Sequence, residues 1–203
     1  MLPTAPSSPP RRAAPGPWSR IFSGWTMWLM FAGYLLGSLT AGRAQDAVSR
    51  EYQIKAAYLY NFAKFVEWPS GSFTNSQAPL VIGVFGQNPF GEELLAIASK
   101  HQIDGRSIVI QPVATIADAA GVHLLFFSAQ YDDQVAGALT ALKGTGVLTV
   151  GESDKFAAAG GMINLVREAN KVRFEINALA AEQQGLKISA QLLKLARAVR
   201  REP

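Results

Sequence analysis

Apolar side chains recur at three- and four-residue steps over residues 48–67, at Ile54, Tyr58, Phe62, Phe65 and Val66, in a stretch without Gly or Pro. That spacing predicts a helix with one buried face. Trp68-Pro69 ends it, because proline cannot continue the hydrogen-bond ladder. After a loop, Leu80–Phe85 is a short apolar run closed by Gly86, and Pro89–Lys100 returns to helical spacing at Leu94, Leu95 and Ala98. Ser107–Val113, His123–Ser128 and Gly146–Val150 read as further apolar strands. Between them lie a short helix over Thr115–Ala120 and a longer one over Gln130–Lys143, with Val135, Leu139 and Leu142 on one side. Ser153 or Asp154 suits the N-cap of a short helix over 155–159. Met162–Arg167 and Lys171–Asn177 then predict a hairpin around Glu168-Ala169-Asn170. In its second arm Val172, Phe174 and Ile176 alternate with Arg173 and Glu175, so one face is buried. The spacing of Leu192, Leu195, Ala196 and Val199 predicts a last helix over Ser189–Arg201.

Uniformly apolar strands separated by helices predict an α/β fold. The expected architecture is a single three-layer domain over residues 45–203. A mostly parallel sheet has helices on both faces, and an antiparallel C-terminal hairpin forms one edge.

Charge sharpens the picture at the N-terminus. Of 19 basic residues, Arg11, Arg12, Arg20 and Arg43 lie within residues 1–44, which contain no acid. The remaining 15 basic side chains are balanced by 15 acidic ones, so the body is neutral and nothing in the totals calls for a nucleic-acid face. Residues 21–40 are uncharged, and Gly42 and Ala44 stand at the −3 and −1 positions of a cleavage site after Ala44. A basic start, an apolar stretch and a small-residue exit predict a signal peptide over 1–44. The competing reading is a retained anchor, since twenty uncharged residues can span a bilayer. Either way, residues 45–203 are expected outside the cytoplasm. With no cysteine, thiol catalysis, disulfides and Cys-ligated metals are excluded. Two histidines, His101 and His123, leave little for a multi-histidine metal site.

Candidate chemistry gathers at the expected carboxyl ends of the strands, where open α/β sheets bind ligands. These ends supply Gly86, Gln87 and Asn88, then Ser128, then Glu152, Ser153 and Asp154. Gly83-Val84-Phe85-Gly86-Gln87-Asn88-Pro89-Phe90-Gly91 runs from strand through glycine turn to helix, but it lacks the GxGxxG spacing and the P-loop ending. A tight turn explains it at least as well. Glu152 and Asp154 are a conceivable acid/base pair, although a Ser-x-Asp run more often caps a helix. His123 opens an apolar strand and reads as a satisfied structural imidazole; His101 reads as solvated. Seven aromatic residues fall within 52–73, enough to feed both a core and a partner surface.

Several ordered blocks resemble the YfiR-like family of periplasmic proteins. The first is Lys55-Ala56-Ala57-Tyr58-Leu59-Tyr60-Asn61-Phe62-Ala63-Lys64-Phe65-Val66-Glu67-Trp68-Pro69. It is followed by Ile82-Gly83-Val84-Phe85-Gly86 and by His123-Leu124-Leu125-Phe126-Phe127. Phe156 with Gly160-Gly161-Met162-Ile163, Val172-Arg173-Phe174-Glu175-Ile176-Asn177 and Leu192-Leu193-Lys194-Leu195-Ala196 complete the set. The resemblance spans roughly residues 52–199. It implies an exported α/β regulator, not an enzyme, that binds and inhibits the sensor domain of a membrane diguanylate cyclase, lowering cyclic-di-GMP output and biofilm formation. Family members often carry a cysteine just before the His123 position. Here that residue is Val122, so release by thiol oxidation cannot operate, and a ligand, an envelope signal or a competing partner must supply it. Expected partner contacts are Tyr58, Tyr60 and Lys64 on the aromatic helix and Arg173 and Glu175 on the hairpin arm. The alternative is a periplasmic small-ligand-binding protein using the cleft near Gly86 and Ser153. A hydrolase is a third reading, weakened by the lack of a nucleophile–base pair. No cofactor or metal is expected, and a homodimer stays open.

Overall fold

The computed structural model describes residues 50–201, so the expected export segment lies outside the described residues. The described chain opens with a helix over residues 50–64, here α1. The remaining helices are α2 (Glu93–Lys100), α3 (Asp132–Ala141), α4 (Asp154–Ala158), α5 (Ala178–Gln183) and α6 (Ala190–Leu195). The longer strands are β2 (Leu80–Phe85), β4 (Arg106–Val113), β5 (Leu124–Phe127), β6 (Leu148–Gly151), β7 (Ile163–Glu168) and β8 (Lys171–Asn177). Short strands are β1 (Val66–Glu67), β3 (Gln102–Ile103), β9 (Lys187–Ile188) and β10 (Ala198–Arg200).

The fold is mixed α/β around an eight-stranded sheet of order β10-β8-β7-β6-β5-β2-β4-β3. Strands β4, β2, β5, β6 and β7 run parallel to their neighbours within that series. β8 is antiparallel to β7, β10 is parallel to β8, and β3 is antiparallel to β4. β1 and β9 form a separate antiparallel pair.

The alternating pleat divides the core into two clusters. Ile82, Val84, Leu124, Phe126, Leu148 and Val150 pack with Ala56, Leu59, Phe62 and Ala63 of α1. Phe85, Leu125 and Phe127 pack with Val135 and Ala138 of α3 and Phe156 of α4. Every element expected on the apolar pattern between residues 80 and 177 is present, with shifts of a few residues at the ends. The short helix expected over Thr115–Ala120 is a 3-10 helix over Ile116–Ala119, opened by a Thr115–Asp118 capping box. Ser153 caps α4, its hydroxyl accepting from the Phe156 N–H at 3.1 Å. The hairpin turns through Ala169 and Asn170, both at positive φ, as a two-residue primed turn requires.

Three expectations need correction. The stripe of α1 is rotated: Phe62 is buried as expected, but Ile54 is 48% exposed, and Ala56, Leu59 and Ala63 complete the buried face. Two alanines let the helix approach the sheet closely, while Tyr58 and Phe65 stay only partly buried. The C-terminal helix stops at Leu195, because Ala196 is extended and Arg197 N–H donates to the Phe174 carbonyl at 2.8 Å. The chain then joins the open side of β8 as β10. The hairpin therefore forms in the expected register but does not form the edge, which β10 occupies.

Gly151 and Gly161 flank the Phe156 ring so closely that a methyl group at either would overlap it. Gly161→Ala should destabilise the domain by about 1–3 kcal/mol, the usual cost of overpacking. Gly137, inside α3, has open space around it, so Gly137→Ala should stabilise by up to ~1 kcal/mol through helix propensity. Urea denaturation of both variants checks the pair of opposite signs.

Candidate functional site

The carboxyl ends of β2, β5 and β6 converge as expected, but side chains of the same chain fill the crevice. Gly86 sits at φ 78 and its N–H donates to the Val113 carbonyl at 2.9 Å. The Tyr131 ring lies against it, where any Cβ would collide. Its hydroxyl accepts from the Gln87 N–H at 2.8 Å. Asn88 uses its Oδ1 to accept from the Phe90 N–H at 2.9 Å. That is the turn chemistry of an Asx motif.

Beside this turn lies a buried polar cluster. Glu152 follows β6, and its Oε2 accepts from Lys55 Nζ at 2.6 Å. Its Oε1 accepts from the Tyr52 hydroxyl at 3.1 Å and from the Ala129 N–H at 3.2 Å. Lys55 lies four residues after Glu51 and three after Tyr52 on α1, the separations that bring side chains together on a helix. Lys55 also pairs with Glu51 at 2.5 Å, and Glu51 meets Arg167 at 3.5 Å. The side chains of Lys55 and Glu152 are only 8% and 5% exposed. Burial, followed by the Glu152 carboxylate, pushes the Tyr52 phenol far above its ordinary value and keeps it a proton donor. Ser128 is buried alongside. Ser153 donates from Oγ to Asp132 Oδ1 at 2.5 Å while capping α4. Asp154 is exposed in the first turn of that helix. Glu152 is thus held in an ion pair while Asp154 serves a helix terminus.

The expected partner contacts fall into two groups. Tyr58 packs on Phe62 and Phe174, and its hydroxyl donates to the Val172 carbonyl at 3.3 Å. Tyr60 packs against the His101 ring at 5.1 Å, and Lys64 lies exposed over Phe65. Arg173 is exposed, and Glu175 pairs with Arg197 at 3.4 Å. Val172, Phe174 and Ile176 turn toward α1. Arg173 and Glu175 therefore occupy the opposite sheet face, and the structure does not bring the two groups into one patch.

His123 clasps the loop after Trp68 to the sheet. Its Nδ1 accepts from the Val81 N–H at 3.1 Å, and Nε2 lies 3.1 Å from the Ser72 carbonyl. These partners select the neutral tautomer with hydrogen on Nε2. The ring stacks on Phe73 at 4.2 Å, and the Arg106 guanidinium lies over the Phe73 ring at 4.0 Å from its centroid. Arg106 also donates to the Asn75 and Ala78 carbonyls at 2.9 and 2.8 Å. Burial lowers the His123 pKa, the Ser72 carbonyl opposes that shift, and Arg106 adds to it.

Strand-end position pointed to Glu152 and Ser128 but not to Lys55, Tyr52 and Tyr131, which the structure brings to the same place. Lys55 carried a usable signal: it lies one turn before Leu59 on the buried stripe, and a lysine there needs a partner. Among the described residues no group of three or more His, Asp or Glu could hold a metal ion. No described helix is long and apolar enough to cross a membrane.

A family model described as YfiR/HmsC-like matches residues 52–197. No curated protein matches the chain significantly. A solved conserved domain protein from Vibrio cholerae O1 biovar El Tor is similar at 17% identity and TM-score 0.47, over 59% of this chain and 54% of that one. The ABC domain in complex with L-Trp from Streptococcus pneumoniae is similar at 14% identity and TM-score 0.45, over 59% and 55%. The chain spans about half the length of these two structures.

Lys55→Met should cost about 3–5 kcal/mol, because it strands the buried Glu152 carboxylate. Combining it with Glu152→Leu should recover much of that loss, and a double-mutant cycle in urea measures the coupling. His123 gives a pH dependence of definite sign. Its folded pKa lies below the ordinary 6.5, so the unfolded chain takes up more protons as pH falls through that value. Its stabilising contribution is whole above about pH 6.5 and is lost toward the lower folded value, at no more than ~1.4 kcal/mol per pH unit. Urea midpoints between pH 7.5 and 5 should fall for the natural chain and fall less steeply for His123→Gln. Equal slopes would assign the loss to other groups.

Proposed function

The chain belongs to the YfiR/HmsC-like family, and from that membership we propose that it is a periplasmic regulator of a membrane-bound diguanylate cyclase. In this reading it is exported by residues 1–44. It binds the sensor domain of the cyclase, lowers cyclic-di-GMP output and so restrains biofilm formation. The family is one of periplasmic regulators of cyclic-di-GMP signalling.

The observation that carries the reading is the occupied crevice. The strand ends of an open α/β sheet are where such folds hold small ligands, and here Tyr131, Tyr52 and Lys55 fill that place. A small-ligand receptor using Gly86 and Ser153 would have to expel the Tyr131 ring and break the bond from Ser153 to Asp132. A surface-binding role needs neither change.

Inhibition then works by population shift. The regulator binds one sensor conformation better than the other and biases the equilibrium by that difference alone. Turning a sensor from 1:99 to 99:1 takes roughly 5.5 kcal/mol of differential affinity. The absence of cysteine leaves release to a competing partner, a ligand or an envelope signal.

Deleting the gene should raise cellular cyclic-di-GMP and biofilm mass. The full chain should restore both, and a chain lacking residues 1–44 should not. Unchanged cyclic-di-GMP and biofilm in the deletion strain would overturn the proposal.

A further inference from the structure

The hairpin and its edge strand extend the sheet past β6, with α4 bordering only the start of β7. One face of this extension is sealed by α1 over Val172, Phe174 and Ile176. The other presents three cross-strand rows. Val166 pairs with Arg173, Asn164 with Glu175 and then Ala198, and Asn177 with Arg200. Between these rows and the end of α4 lies a recess of about 90 Å³, lined by Asn164, Glu175, Asn177, Ala198 and Arg200 and bordered by Ala157 of α4 and Gly161. Asn164 is 4% exposed, and its Oδ1 has no hydrogen-bond partner. A buried amide oxygen left unpaired is costly and calls for an explanation.

We propose that this open face of β7, β8 and β10 docks an extended acidic segment of a partner protein, one of whose hydrogen-bond donors enters the recess and satisfies Asn164. Charge selects the partner. The Glu175 carboxylate is matched by Arg197 at 3.4 Å, and Arg197 also reaches Glu168 at 3.8 Å. Among the described residues Arg173 and Arg200 form no ion pair, and both are exposed on the rim. The unmatched charge is therefore positive, while the unmatched polar atom below it is an acceptor. A segment with carboxylates flanking a hydroxyl or amide N–H fits both. A second copy docked on the same patch across a two-fold axis would bring the same excess of positive charge to it. An anionic lipid surface would meet the arginines but offers a plane of separate headgroups, with no continuous chain to follow the three cross-strand rows.

The assignment of this face to the cyclase partner rests on the proposed regulatory role; the face itself does not. Two arms keep them apart. In the first, the full chain without residues 1–44 is titrated by NMR with a ten-residue peptide of alternating Glu and Thr, and separately with phosphatidylglycerol vesicles. Salt-sensitive shifts confined to β7, β8 and β10 are expected, with at least tenfold weaker binding for Arg173→Glu/Arg200→Glu. Asn164→Leu should weaken binding at least threefold while melting no lower than the natural chain, which a merely structural asparagine would not do. Peptide shifts elsewhere, no peptide binding, unchanged binding in the variants, or vesicle binding with the same arginine dependence would overturn the proposal. In the second arm, Arg173→Glu/Arg200→Glu is returned to the deletion strain. Cyclic-di-GMP held at the deletion level is expected, and full restoration overturns the assignment while leaving the regulatory role intact. A deletion without effect, alongside the expected peptide binding, removes the regulatory role and leaves the face standing.

Discussion

The ammonium of Lys55 holds the amino-terminal side of the domain together. It is buried between Glu152, at the end of β6, and Glu51, one turn earlier on α1. A cation removed from water at that depth is tolerable only when its counter-charges are close and their remaining lone pairs are satisfied. Tyr52 and the Ala129 N–H meet the second condition. The other end of α1 is tied by different means, through the β1–β9 pair and the bond from Trp68 Nε1 to the His123 carbonyl at 3.2 Å. Between these ties the helix needs only small residues, and Ala56 and Ala63 supply them.

That anchorage has a consequence for function. The polar groups at the strand ends, which in this class of sheet would meet a ligand, are already engaged in docking a helix. The proposed recognition face lies at the periphery instead, on the side of β8 turned away from α1. The alternation in β8 separates two tasks on one strand: Val172, Phe174 and Ile176 pack against α1, while Arg173 and Glu175 remain available on the other side. A mutation on the charged side can alter binding with little effect on packing, because the two sets share a backbone and no side-chain contacts.

The parallel core was legible because its strands are short apolar runs bounded by glycine, and its helices have clean periodicity. The hairpin was legible for the same reason, since alternation at Val172, Phe174 and Ile176 admits one register. What escaped were features decided by tertiary partners. Ala198–Arg200 follows a helical pattern closely enough to read as its continuation, and only the vacant side of β8 draws it into the sheet. β1, β3 and β9 are two residues each, too short for any periodic signal. In the site, Ser153 was legible as a cap and His123 as a satisfied imidazole. Glu152 was visible, but its partner Lys55 lies 97 residues away, and local spacing says nothing about such a pairing. Asn164 was hidden inside an apolar strand, where its amide gives no pattern of its own.

The absence of thiols adds a further constraint. The position before His123 is Val122, packed in the core, and the loop beyond Trp68 is held by an imidazole, a guanidinium and stacked rings. Such junctions open and close with proton activity or with competing contacts, and oxidants leave them untouched. Junctions fastened this way can respond through binding or through protonation. Both act by shifting populations in proportion to a difference in free energy between states. In the proposed regulatory role, reversible fastening of surface loops and an exposed charged face would serve the same end: each contact would be strong enough to bias an equilibrium and weak enough to be displaced.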